Sequence, residues 1–207
     1  MWNVDCTVTT AVDVSIAVIA TIASLVTMFA LRSKWKPWYE SLNKAPWTPP
    51  DWVFGLVWAL LYASLAASGI TARYYYEQPS NTTSGTVNLA ATILFYLMWA
   101  GLLMWAPVFF FARSINFALA ILIVLTLVSI ATNALFWVIY FVPGLIMMPY
   151  LLWLLYALSL SIYVVAYNGS NSKLKTEDLV YAERQAPIST DLIGSTKKKN
   201  VAFKGKK

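Results

Sequence analysis

With no histidine and a single cysteine, Cys6, the chain has no means of building Ser/His or Cys/His catalysis, a histidine or multi-cysteine metal site, or an internal disulfide. Chemistry is left to aromatic rings, hydroxyls, amides and a few carboxylates. The rings are abundant, with 10 Trp, 12 Tyr and 10 Phe, and they are regularly spaced. Phe54, Trp58 and Tyr62 recur every fourth residue, beside a stripe of Gly55, Ala59, Ala63 and Ala67 at the same spacing. A helix there is bulky on one side and bare on the next, and a bare stripe lets another helix approach closely. Tyr150, Trp153, Tyr156, Leu160, Tyr163 and Tyr167 share one helical face. Thr126, Ser129, Asn133 and Trp137 form a polar stripe ending in an indole, and such groups prefer a bundle interior to lipid. Flat π surfaces with a few hydroxyl and amide partners suit a large, flat, apolar ligand in a cleft between helices. Packing alone is the competing explanation for any one of these rings.

The elements that would carry the stripes are membrane spans. Apolar residues make up 59% of the 207, and charged ones 12%, a balance that a soluble domain of this size does not hide from water. Apolar windows predict five transmembrane helices, an all-α integral membrane bundle, over residues 8–31, 52–72, 87–111, 115–140 and 145–167. Between Trp52 and Ser172 the only charged side chains are Arg73, Glu77 and Arg113, all at predicted span ends. The first span contains Asp13 near its start and lacks a basic n-region before it, so it reads as retained rather than cleaved. Pro107 and Pro149 lie inside helical patterns, where kinks would help open a cleft.

Five spans place the termini on opposite sides of the bilayer. Loop 1, the turn at Arg113 and the tail then carry 14 of the 15 Lys and Arg, with Arg73 alone opposite. The positive-inside rule predicts a cytosolic C-terminus and loop 1, and an N-terminus outside or lumenal. Residues 1–168 read as one membrane domain and residues 169–207 as a charged tail whose end is basic. The net charge of +6 sits mainly in these topology signals, so nucleic acid is not an expected partner. Asn81-Thr82-Thr83 is a glycosylation sequon on the predicted outer side. Trp2, Trp35, Trp38 and Trp52 fall at predicted interfaces, where an indole anchors well. Loop 1, residues 32–51, is rich in proline and tryptophan. Pro49 and Pro50 stiffen the approach to the second span, whose first turn Asp51 can cap, and the loop reads as a lid over a cytosolic pocket mouth.

Several of these residues form a recognisable signature. Trp38-Tyr39 with Leu42, Pro46-Trp47, Pro49-Pro50, Trp52, Phe54 and Val57-Trp58-x-x-Leu61-Tyr62 are followed by Trp105-Ala106-Pro107-Val108-Phe109-Phe110 and Pro149-Tyr150-Leu151-x-Trp153. Over about residues 8–168 the chain resembles the tryptophan-rich sensory protein family, also called translocator protein or peripheral-type benzodiazepine receptor. The resemblance implies a five-helix bundle, often dimeric, whose cytosolic-side pocket binds porphyrins, haem and synthetic ligands, with sterols recognised in some members. It also implies that Trp58 and Trp153 match tryptophans implicated in light-dependent porphyrin breakdown in bacterial members, and that Tyr39 matches a pocket tyrosine. Met98, Leu102 and Leu160-Ser161 replace residues that are more polar in many members, which implies a less polar pocket.

Stripes and resemblance together give Tyr39, Trp47, Phe54, Trp58, Tyr62, Trp105, Asn133, Trp137, Tyr150 and Trp153 as candidate ligand-binding residues, with Trp58 and Trp153 as the candidates for any catalysis. Val165, Tyr167 and Lys173 satisfy the loose sterol-recognition pattern. The expected function is a receptor or carrier for porphyrin or haem, and sterol as a further ligand, with no required cofactor. A structural subunit of a larger membrane complex and a light-dependent porphyrin-degrading enzyme are the alternatives. A homodimer or larger complex is the expected assembly, and the mitochondrial outer membrane or a secretory membrane the expected location.

Overall fold

A computed structural model describes residues 4–169, so Lys173 of the sterol pattern and the basic tail lie outside the described residues. The described chain is all-helical: α1 (Val4–Leu25), a π-helical turn (Val26–Ala30), α2 (Arg32–Ser41), α3 (Asp51–Tyr76), α4 (Gly85–Phe110), α5 (Ile115–Ile139) and α6 (Phe141–Asn168). Four of these helices, α3 to α6, are long and apolar enough to cross a bilayer. In α1 the apolar stretch is shorter, Thr10–Leu25, and it contains Asp13. Helix α1 packs on α3, α3 on α6, α6 on α5 and α5 on α4.

Polar side chains fasten these contacts, as hydroxyls do where no water competes for them. Ser64 and Ser68 of α3 donate to the carbonyls of Ile146 and Pro143 on α6, each at 2.7 Å. The buried hydroxyls of Ser129 on α5 and Tyr150 on α6 lie 3.0 Å apart. Toward the C-terminal end of α3, Arg73 pairs with Asp13, a carboxylate with no exposed surface, and Tyr96 of α4 donates to the same carboxylate at 3.1 Å. One buried ion pair thus joins α1, α3 and α4. Gly69 lets these helices meet: a Cβ there would lie 2.6 Å from the ring of Phe95 and 3.2 Å from Asp13 Oδ2.

Several local expectations change. The small residues buried in α3 are Gly55, Ala66, Ser68, Gly69 and Ala72, so of the bare stripe Gly55 packs and Ala59 is half-buried, whereas Ala63 and Ala67 face outward. Asp51 is the first residue of α3 and Pro50 its N-cap, so Asp51 does not cap; its carboxylate meets Arg32 at 3.5 Å instead. Trp35 and Trp38 are not interfacial anchors, because α2 folds back so that both are about 1% exposed, against Phe110 and Phe109. The π turn supplies the carbonyl of Thr27 that accepts the Trp35 indole N–H at 2.7 Å. Helices α4 and α6 run through Pro107 and Pro149.

Only Tyr140, in extended conformation, separates α5 from α6. That corner is tight. A Cβ on Gly144 would lie 2.5 Å from the Trp137 indole, which donates to Asn133 at 3.0 Å while Asn133 donates to the Gly144 carbonyl at 2.9 Å. At the same end, the Asn81 side-chain amide donates to the carbonyls of Tyr75 and Ile139. The nitrogen that would carry a glycan is therefore engaged in bracing α3 against α5.

Candidate functional site

A cavity of about 120 Å³ lies at the end of the bundle where α2 folds back, and every element of the described chain contributes to its wall. Helix α3 supplies Phe54, Gly55, Trp58 and Tyr62, which its four-residue spacing places on one face. Helix α4 contributes Leu102, Trp105 and Phe109, α5 contributes Leu122 and Leu125, and α6 contributes Ala157, Leu160, Ser161 and Val164. The roof is Trp35 and Tyr39 of α2 with Lys44 and Thr48 of the segment that follows.

The rings interlock. Trp58 stacks on Tyr62 at 5.6 Å, Tyr62 leans on Trp99 at 5.8 Å, and Trp105 stacks on Phe109 at 5.1 Å. Tyr39 packs edge-on to Phe109 and Phe110, and burial, with smaller contributions from Asp51 and Tyr156, pushes its phenol up to about 12. It stays a neutral hydrogen-bonding group at physiological pH. Trp105 carries a buried indole N–H with no acceptor among the described residues, a costly state for a donor.

The roof is clasped to α6. Asn43 N–H donates to Asn168 Oδ1 at 2.9 Å, and Asn168 Nδ2 returns a bond to the Asn43 carbonyl at 3.0 Å. Asn43 Nδ2 also reaches the Tyr167 carbonyl at 3.2 Å. Farther along, Tyr156 Oη donates to the Trp47 carbonyl at 2.7 Å, and the Trp47 ring meets Tyr163 edge-on at 5.4 Å.

Of the ten candidate binding residues, Tyr39, Phe54, Trp58, Tyr62 and Trp105 line the cavity together. The other five stand elsewhere. Trp153 lies behind the wall, edge-on to Phe54 at 5.9 Å and against Tyr156. Tyr150 is wholly buried in the core beneath Trp58. Asn133 and Trp137 belong to the α5–α6 corner, and Trp47 is an exposed part of the clasp. In the sterol pattern, Tyr167 is exposed and stacks on Tyr163 at 4.2 Å, while Val165 is half-buried. Sequence reasoning passed over Asn43, Lys44 and Asn168. Their only signal was a position beside the proline-rich loop or at the end of the last span.

These features describe a polytopic helical membrane protein with an aromatic chamber roofed by a clasped loop. The profile of the TspO/MBR family matches residues 14–167, and the chain belongs to that family. It is 28% identical over 131 residues to "Protein CrtK" of Rhodobacter capsulatus, an alignment spanning 63% of this chain and 78% of that protein. It is 38% identical over 64 residues to the "Tryptophan-rich sensory protein" of Cereibacter sphaeroides, covering 30% of this chain and 37% of that one. To the "Tryptophan-rich protein TspO" of Bacillus cereus it is 42% identical over 33 residues, 16% of this chain and 22% of that one.

Proposed function

We propose that the chain is a five-span membrane receptor or carrier that holds a flat apolar ligand, of the porphyrin or haem type, in the chamber between α3, α4 and α6 beneath the roof. The observation that carries this reading is the wall itself. Trp58, Tyr62, Trp105, Phe109, Trp35 and Tyr39 present π surface from three elements around one cavity, among aliphatic side chains. Such a lining favours a broad aromatic body over a polar metabolite.

In this reading α1 is the fifth span, and Asp13 within its apolar stretch is neutralised by Arg73. The roof and the C-terminal end of α6 then face the cytosol, on the side where most of the Lys and Arg lie. Sterol contact would use the exposed Tyr167 with the half-buried Val165, neither of which lines the chamber.

Titration of the purified chain with protoporphyrin, read as tryptophan quenching, tests the proposal. Saturable quenching is expected, with affinity falling about tenfold or more on Trp58→Ala, since an aromatic partner contributes roughly 1–3 kcal/mol per stacked ring system. Affinity unchanged in Trp58→Ala would remove the chamber as the binding site.

A further inference from the structure

The chamber has an electrostatic feature that its aromatic lining does not explain. Among the residues that form its wall, Lys44 is the one cation and Asp51 the one anion. Asp51 already faces the guanidinium of Arg32 at 3.5 Å. Lys44 makes no ion pair among the described residues, and its Nζ rests 4.3 Å above the centre of the Tyr39 ring. The lysine is half-buried, so its charge is held at the roof of an apolar chamber rather than extended into solvent. Deeper in the wall, the Trp105 indole N–H is buried without an acceptor. Two donors, one charged and one neutral, therefore border the same cavity, and neither has a carboxylate or carbonyl partner in the described chain.

We propose that Lys44 is the specificity-determining residue of this chamber and receives a carboxylate carried on the rim of the apolar ligand, so that the preferred ligand class is a flat amphipathic acid. The inference rests on the receptor reading above and adds to it a ligand charge, a ligand orientation and a residue. The apolar body would lie among the rings and the acid group at the roof. Desolvation by the surrounding rings strengthens a lysine–carboxylate bond relative to one in water. A neutral ligand of the same shape would leave the lysine unpaired and gain nothing from it. Phospholipid phosphate could offer the same charge, so the test separates the two sources.

The full chain in phosphatidylcholine nanodiscs is titrated with protoporphyrin, a dicarboxylic acid, and with its dimethyl ester, which has the same macrocycle without the charge. Wild type is expected to bind the acid about tenfold or more tightly than the ester, the size of one charge-assisted hydrogen bond. In Lys44→Gln that preference should shrink to about twofold or less, with melting by circular dichroism close to that of wild type showing that the bundle remains folded; Lys44→Arg should keep most of it. An acid-to-ester ratio identical in wild type and Lys44→Gln would overturn the inference and leave the receptor reading standing. If neither compound binds wild type, the receptor reading fails and this one with it. Repeating the titration of both proteins with phosphatidylglycerol in the discs should keep the difference in ratio between wild type and Lys44→Gln, because the negative surface repels the acid equally from each. A difference that disappears there would assign Lys44 to lipid headgroups and overturn the proposal.

Discussion

Replacing Arg73 by leucine should be among the most damaging single changes in the membrane domain. Asp13, its partner, has no exposed surface, and the Arg73 side chain is only 12% exposed, so water screens the pair little. Arg73→Leu leaves a buried carboxylate with one hydrogen bond among the described residues, from Tyr96. Losing one member of a buried pair costs roughly 3–5 kcal/mol, most of it the penalty of the stranded charge. For a chain of this size that corresponds to a melting temperature about 6–20 °C lower, at about 2–4 °C per kcal/mol. The double variant Asp13→Leu plus Arg73→Leu strands no charge and is expected to recover most of the loss, because apolar replacement of a whole buried pair is often close to neutral. Melting of the purified protein in one detergent, followed by near-ultraviolet circular dichroism, gives all three values. The reasoning is refuted if Arg73→Leu melts with wild type, or if the double variant is as unstable as the single one. Melting with wild type would mean that the pair does not hold α1 to α3, and an equally unstable double variant would mean that the lost bond, rather than a stranded charge, carries the cost.

Other parts of the structure give further expectations. Gly69→Ala should destabilise by about 1–3 kcal/mol, since its Cβ would meet the buried Phe95 ring at 2.6 Å; unchanged melting would show that the α3–α4 approach is looser than described. Asn168→Ala removes two side-chain bonds between α6 and the roof, so stopped-flow displacement should show ligand release at least severalfold faster, and an unchanged off-rate would mean that the clasp does not gate the chamber. The Tyr39 phenol is raised from 10 to about 12, so its protonated form contributes stability that is complete below pH 10 and is lost as pH rises through about 12. The difference in melting temperature between wild type and Tyr39→Phe should therefore change between pH 10 and 12 and stay flat below it; a change centred near pH 7 would contradict the assignment.

How far the sequence discloses this arrangement depends on whether a feature is periodic or contingent. The long apolar windows yield α3 to α6 because a bilayer-length run has few other uses, and the α3 rings fall on the cavity because four-residue spacing keeps them on one face. On the predicted face of α6 only Leu160 borders the chamber, while Tyr150 lies in the core and Tyr156 and Tyr163 mark the side that meets Trp47 of the roof segment. Ala157, Ser161 and Val164, one position further on, complete the wall where space is needed. Trp35 and Trp38 looked like interfacial anchors because composition alone does not distinguish an indole lying in a headgroup layer from one folded under its own helix. Asn133 and Trp137 were polar residues inside a span, a pattern that fits a ligand site as well as a corner. Their use at the corner follows from a connection of one residue, Tyr140. The Asp13–Arg73 pair had no local signal, since its partners are distant in sequence and meet only once α1 packs on α3.

The most direct measurement is a crystal structure of the full chain grown with protoporphyrin in a lipid phase. The macrocycle is expected between Trp58 and Trp105, beneath Tyr39, with a carboxylate at Lys44 and the roof closed over it. Density for the macrocycle on the outward faces of α4 or α5, with the chamber unchanged and unfilled, would contradict the account at its centre.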